Sequence, residues 1–130
     1  VTTAVRALGE VALRVNDLAT SESFYRDVIG LQLMKRFDHA AFFRIADGFV
    51  GHTTVLALFD RSGPVEPTRT TVDHIAFTIA LEDRESEKRR LAGLGISVTT
   101  ATHEWARWRS LYLQDPDGNQ VELVCFDPEA

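Results

Sequence analysis

From His74 the chain reads HIAFTI (74–79), then ALEDRESEKRRLA (80–92), then GLGISV (93–98). Ile75, Phe77 and Ile79 alternate with smaller or polar residues, the period of a half-buried strand. The polar stretch behind them fits a helix from about Glu82 to Leu94, and Gly95 suits its left-handed stop. The same order occurs earlier: EVALRV from Glu10, NDLATSESFYRDV from Asn16, then IGLQL from Ile29. Val11, Leu13 and Val15 give the strand period. Asp17 is placed to cap a helix whose Phe24 and Val28 share one face, and Gly30 ends it. Both halves also close alike, in VLALFD (55–60) and ELVCFD (122–127). Such a repeat is the mark of a duplicated supersecondary unit.

Three further strands are expected in each half. In the first they are Leu31–Arg36, Ala41–Ile45 and Thr53–Phe59. In the second they are Ile96–Ala101, Ser110–Gln114 and Gln120–Phe126. Asp115-Pro116-Asp117-Gly118 has turn chemistry between the last two. Arg61–Thr71, with Pro64 and Pro67, reads as the linker between halves. The expected fold is therefore α+β: two paired βαβββ modules, residues 1–66 and 67–130, in one domain, forming a curled mixed sheet around a cleft.

Lys and Arg number 14 against 19 Asp and Glu, a net charge of −5. That balance argues against a nucleic-acid or anionic-membrane surface. No apolar run approaches the roughly 20 residues needed to span a bilayer. The opening VTTAVRALGE lacks the apolar stretch of a signal peptide. Cys125 is the only cysteine, so an internal disulfide and a thiolate cluster are both excluded. A reducing, cytoplasmic setting is expected, with a small molecule and a second copy of the chain as partners. The apolar closing strands suit a homodimer.

Each half opens its first strand with a residue able to bind metal, Glu10 and His74. The repeat predicts equivalent positions for the two. Glu122 lies on the last strand, its neighbours Val121 and Leu123 pointing to the other face. A carboxylate on that partly apolar surface needs a partner, either a metal ion or an arginine such as Arg109 or Arg44.

HIAFTI from His74, DPDGNQVELV from Asp115 and FYRDVIGL from Phe24 resemble the vicinal-oxygen-chelate superfamily, which includes glyoxalase I, methylmalonyl-CoA epimerase, fosfomycin-resistance enzymes, extradiol dioxygenases and bleomycin-binding proteins. The resemblance covers nearly the whole chain. It implies a metal held by His74, Glu122 and Glu10, the last standing where the family usually has histidine. The ligand that glyoxalase I and the epimerase take from the last strand of the first module falls near Val55 or Leu56, neither of which coordinates. Three-ligand extradiol dioxygenases match better. The resemblance to them implies His52, His103 and Tyr112 as acid–base and substrate-positioning groups. A site with one histidine and two carboxylates favours Fe(II) or Mn(II), with Zn(II) or Ni(II) as alternatives. The expected function is thus an extradiol-dioxygenase-like enzyme acting on a catechol-like substrate. Its rivals are a glyoxalase- or epimerase-like isomerase or lyase, and a metal-free binding protein whose pocket Trp105, Trp108, Phe42 and Phe43 would line.

Overall fold

A computed structural model describes residues 6–60 and 72–130. The expected linker, Arg61–Thr71, lies outside these residues. The chain divides into two compact units, Val1–Val65 and Glu66–Ala130.

In unit 1, β1 (Glu10–Val15) leads into α1 (Leu18–Ser23). Asp17 caps that helix, its side chain accepting from the Thr20 N–H at 2.9 Å. This bond holds the Asp17 carboxyl below its ordinary range. The helix does not continue as regular α to Gly30. Phe24–Ile29 form a π turn, ended by Gly30 at φ 91°, with the N–H groups of Gly30 and Leu31 both donating to the Tyr25 carbonyl. The wider turn lets adjacent Phe24 and Tyr25 both be buried, where a regular helix would favour Phe24 with Val28. The remaining strands are β2 (Gln32–Arg36), β3 (Ala40–Phe49) and β4 (His52–Asp60). The sheet order is β1-β4-β3-β2, with β1 parallel to β4 and the other pairs antiparallel. Leu13, Val15, Phe43, Leu56 and Leu58 are buried on one face, and α1 packs against β3 and β4.

Unit 2 repeats this plan. β5 (His74–Thr78) is followed by a 3-10 turn (Leu81–Asp83), α2 (Arg84–Gly93), β6 (Thr99–His103), β7 (Trp108–Gln114) and β8 (Gln120–Phe126). The order is β5-β8-β7-β6, with β5 parallel to β8. Ile75, Phe77, Leu111, Leu113, Val121, Leu123 and Cys125 are buried on one face. At roughly 1.5–3 kcal/mol per buried apolar side chain, such a face outweighs any intrinsic preference of the strands. Burial also pushes the Cys125 thiol up. The fold is α+β, two four-stranded mixed sheets that do not close. Among the described residues no helix is long and apolar enough to cross a membrane.

Candidate functional site

The second face of the unit 2 sheet carries four polar side chains that meet across the strands. The Asp115–Asn119 turn is fixed by the Asp115 carboxylate, which accepts from the backbone N–H groups of Asp117 and Asn119 and from Asn119 Nδ2 at 2.8–2.9 Å. That turn sets Gln114 opposite Gln120, and the ladder then places Tyr112 opposite Glu122 and Ser110 opposite Val124. With a side-chain period of two, Ser110, Tyr112, Glu122 and, across β5, His74 share one face.

Glu122 is buried, its side chain 8% exposed. One carboxylate oxygen, Oε2, accepts from the Ser110 hydroxyl. The other, Oε1, lies 3.0 Å from His74 Nε2. On the far side of the ring, His74 Nδ1 is 2.7 Å from Asp73 Oδ2. A carboxylate there takes the Nδ1–H as donor, so in a neutral ring Nε2 carries a lone pair. Two lone-pair atoms then face each other, which needs either a proton on Nε2 or a cation shared by both. The 3.0 Å separation suits an N–H···O bond and leaves both atoms near enough to serve one divalent ion after a small adjustment. An acid hydrogen-bonded to the outer nitrogen of a metal-binding histidine is a common supporting arrangement.

His103 and Tyr112 meet on the same face, with His103 Nε2 2.8 Å from the Tyr112 hydroxyl. Beyond them Trp108 stands opposite both His103 and Phe126, and the Trp105 ring lies tilted against Trp108 at 5.4 Å between centroids while remaining 83% exposed. Arg109, on the other face, donates to Asp127 and Thr102. It is therefore not the partner of Glu122.

Unit 1 differs. Glu10 stands opposite Val55, Val55 opposite Arg44, and Arg44 opposite Gln32. Arg44 pairs with Asp47. Within each unit, among the described residues, no three His, Cys, Asp or Glu side chains gather. The expectation that Glu10 and His74 are equivalent holds for their place at the start of a strand but not for register. Val55 aligns with Glu122 in the repeat and faces Glu10, whereas Glu122 faces Ala76 and His74 faces Gln120. The first strands thus differ by two residues, roughly 6.6 Å of slide.

His52 opens β4 in unit 1. It lies three residues from Val55, so it falls on the opposite face, in line with Thr54, Leu56 and Leu58. Its ring sits against Gly9, where an added Cβ would lie 3.2 Å from His52 Cε1. It borders a cavity of about 260 Å³ with Arg6, Leu8 and Phe49, away from the face that carries Glu10. Phe43, one of the aromatics expected to line a binding pocket, is fully buried. Asp73 and Ser110 were not singled out by sequence reasoning. The turn at Asp115 was enough to find Ser110, because the ladder it starts puts residues 110, 112 and 122 on one face. Asp73 had only adjacency to His74 as a signal.

The comparisons with known proteins agree with this architecture. Glutathione transferase FosA of Serratia marcescens is 30% identical over 119 residues, spanning 92% of the chain and 80% of that protein. Catechol-2,3-dioxygenase of Bacillus subtilis is 34% identical over 128 residues, spanning 95% of the chain but 42% of that enzyme. The crystal structure of lactoylglutathione lyase from Agrobacterium tumefaciens superposes with a TM-score of 0.67 at 30% identity, covering 95% of this chain and 96% of that one. The family model of this group matches residues 7–123, and the chain belongs to the Glyoxalase/Bleomycin resistance protein/Dioxygenase superfamily.

Proposed function

We propose that the chain is a metal-dependent enzyme of the extradiol-dioxygenase type, acting on a small substrate with two adjacent oxygens, such as a catechol. The supporting observation is the juxtaposition, on one face of one sheet, of the His74–Glu122 pair and the hydrogen-bonded His103–Tyr112 pair. His74 and Glu122 would hold a divalent ion, with Glu10 the third donor that the family position implies. Fe(II) or Mn(II) suits a set rich in carboxylate. When bound, the ion supplies Lewis acidity that lowers the proton affinity of chelated substrate oxygens.

The chain's own groups do the rest. Asp73 holds the His74 ring in one tautomer, and Ser110 fixes the orientation of Glu122. A catechol entering such a site must lose protons. Tyr112 presents a hydroxyl that can both donate and accept, and His103 Nε2 at 2.8 Å can take the proton it passes on. His52, at the start of β4, is the further acid–base group that the family resemblance implies. Homodimerisation and a cytoplasmic setting belong to the same reading.

Oxygen uptake with a panel of catechols, using anaerobically iron-loaded protein, tests it. Tyr112→Phe should slow turnover by roughly 10²–10⁴-fold, the usual range for losing a proton-transfer group, with metal content unchanged. No uptake with any catechol rejects the dioxygenase reading. A second reading is thiol transfer, favoured because the chain spans 80% of the FosA relative but 42% of the dioxygenase. Glutathione consumption with fosfomycin under strictly anaerobic conditions would separate it, since ring cleavage stops without oxygen and thiol addition does not.

A further inference from the structure

The face that carries His74 and Glu122 has two unlike ends. One end is aromatic, with Trp108 and Phe126 paired across β7 and β8 beside His103. The other end is a cavity of about 510 Å³ lined by Ser97, Thr99, Tyr112, Gln114 and Gln120, with Gly95, Ile96 and Leu113 completing it. Its position is fixed by the ladder. Gln120 is the cross-strand partner of both Gln114 and His74, and Tyr112 is the partner of both Glu122 and Thr99. The cavity therefore shares Tyr112 with the proposed proton path and adjoins the histidine of the metal pair.

The polar groups of its lining are all neutral. It offers the hydroxyls of Ser97, Thr99 and Tyr112 and the carboxamides of Gln114 and Gln120, and none of the lining residues is charged. The nearby carboxylate of Asp115 is committed to three hydrogen bonds within its own turn. Carboxamides and hydroxyls both donate and accept, so they match a neutral group that does the same. A charged group in the cavity would find no counter-charge among the lining residues, whereas a neutral one would find both donors and acceptors. A volume of this size falls within the usual range of small-molecule sites and takes a ring substituent of several heavy atoms.

We propose that this cavity is a substrate subsite for a neutral hydrogen-bonding substituent, a carboxamide or hydroxyl, and that Gln114 and Gln120 determine that specificity. The proposal rests on the reading of the adjoining face as a chelating site, and it names the class of substrate: a catechol-like compound bearing a neutral polar arm, in preference to a carboxylate or an amine.

Two measurements test the subsite and the parent reading separately. In the first, benzamide and benzoate, which lack chelating oxygens, are titrated into isotope-labelled protein while the side-chain amide resonances of Gln114 and Gln120 are followed. Shifts with benzamide and none with benzoate are expected; absence of a benzamide shift overturns the subsite. In the second, anaerobic calorimetry with Mn(II)-loaded protein compares catechol, 3,4-dihydroxybenzamide, 3,4-dihydroxybenzoate and 4-(2-aminoethyl)catechol. The benzamide should bind about tenfold more tightly than either charged analogue, the equivalent of one or two net hydrogen bonds. Gln114→Leu with Gln120→Leu should erase that preference and leave unsubstituted catechol within about twofold of its wild-type affinity. A preference that survives the double substitution also overturns the proposal. Benzamide shifts without binding of any catechol leave the subsite standing and reject the catechol reading instead.

Discussion

Strands β4 and β8 end in closely similar sequences, Val55–Asp60 and Glu122–Asp127, and each lies between a parallel and an antiparallel neighbour. The side chains they set on the second face of each sheet differ in kind. Position 122 is a glutamate held by Ser110 and facing His74; position 55 is a valine beside Glu10 and Arg44. Opposite 122 is Tyr112, and opposite 55 is Arg44. The packed faces, by contrast, stay alike: Leu56 and Leu58 in one unit, Leu123 and Cys125 in the other, all buried. Duplication thus constrains the face that makes the core, where any change leaves a cavity or a strained side chain. The other face is free to diverge, and among the described residues the two units set different polar groups there.

The strongest test of that asymmetry is metal binding. His74→Ala should lower divalent-metal affinity by about 100-fold or more, since loss of outer supporting groups alone costs 10–100-fold. Equilibrium dialysis with Mn(II) measures it; equal binding by wild type and variant would mean that unit 2 holds no metal through His74. Glu10 gives the matching test for unit 1. If it donates, Glu10→Ala should cost a comparable factor, and Glu10→His should shift preference toward Zn(II) or Ni(II), the ions imidazole favours. Unchanged affinity for all of these ions in both variants would make Glu10 a bystander, as its two-residue difference in register from His74 would then explain.

Asp73 sharpens the comparison at lower amplitude. Its carboxylate is 2.7 Å from His74 Nδ1, so Asp73→Asn should keep the ring in place while weakening its hold on the tautomer. A 10–100-fold loss of metal affinity is expected. Loss below twofold would show that the ring is oriented by packing alone.

Much of this was readable in the sequence because it follows from period and turn chemistry. Gln120–Phe126 is the strand expected, bounded by the Asp115 turn before it and by Asp127 after it. The strand start at His74 and the left-handed stops at Gly30 and Gly95 also follow from local rules. What escaped depends on neighbours. β6 begins at Thr99 and not at Ile96, because the N–H groups of Gly95 and Ile96 donate back to the end of α2, at Ala92 and Leu91. β3 runs on to Phe49 through two register shifts. Gly48 permits this at φ 73°, where a Cβ would come within 1.9 Å of the His52 carbonyl oxygen. His52 lies at an odd separation from Val55, which in a regular strand sets the two on opposite faces. The glutamate–serine bond at the site was out of reach only until a register was fixed, since hydrogen bonds across strands carry no signal in composition.

The smallest expected effect concerns the last residue of the repeated hexapeptide. Asp127 accepts from Arg109, and this bond, aided by the Glu129 backbone N–H, holds its carboxyl below the ordinary value of 3.8. Its counterpart Asp60 is exposed at the end of β4. A carboxyl whose folded pKa is depressed binds protons more readily when unfolded, so its contribution to stability is present above about pH 3.8 and is lost as pH falls through the lower folded value. Asp127→Asn should therefore be less stable than wild type in urea at pH 7 and pH 5, and the gap should close progressively below pH 4, where the wild-type carboxylate becomes protonated. Asp60→Asn should show a smaller gap at neutral pH, because a solvated carboxylate at a strand end contributes little. If the Asp127→Asn gap stays constant down to pH 2.5, the difference is one of packing and not of charge. If Asp60→Asn proves equally destabilising, the two ends of the repeat are anchored alike, and the asymmetry between the units stops at the face that carries His74 and Glu122.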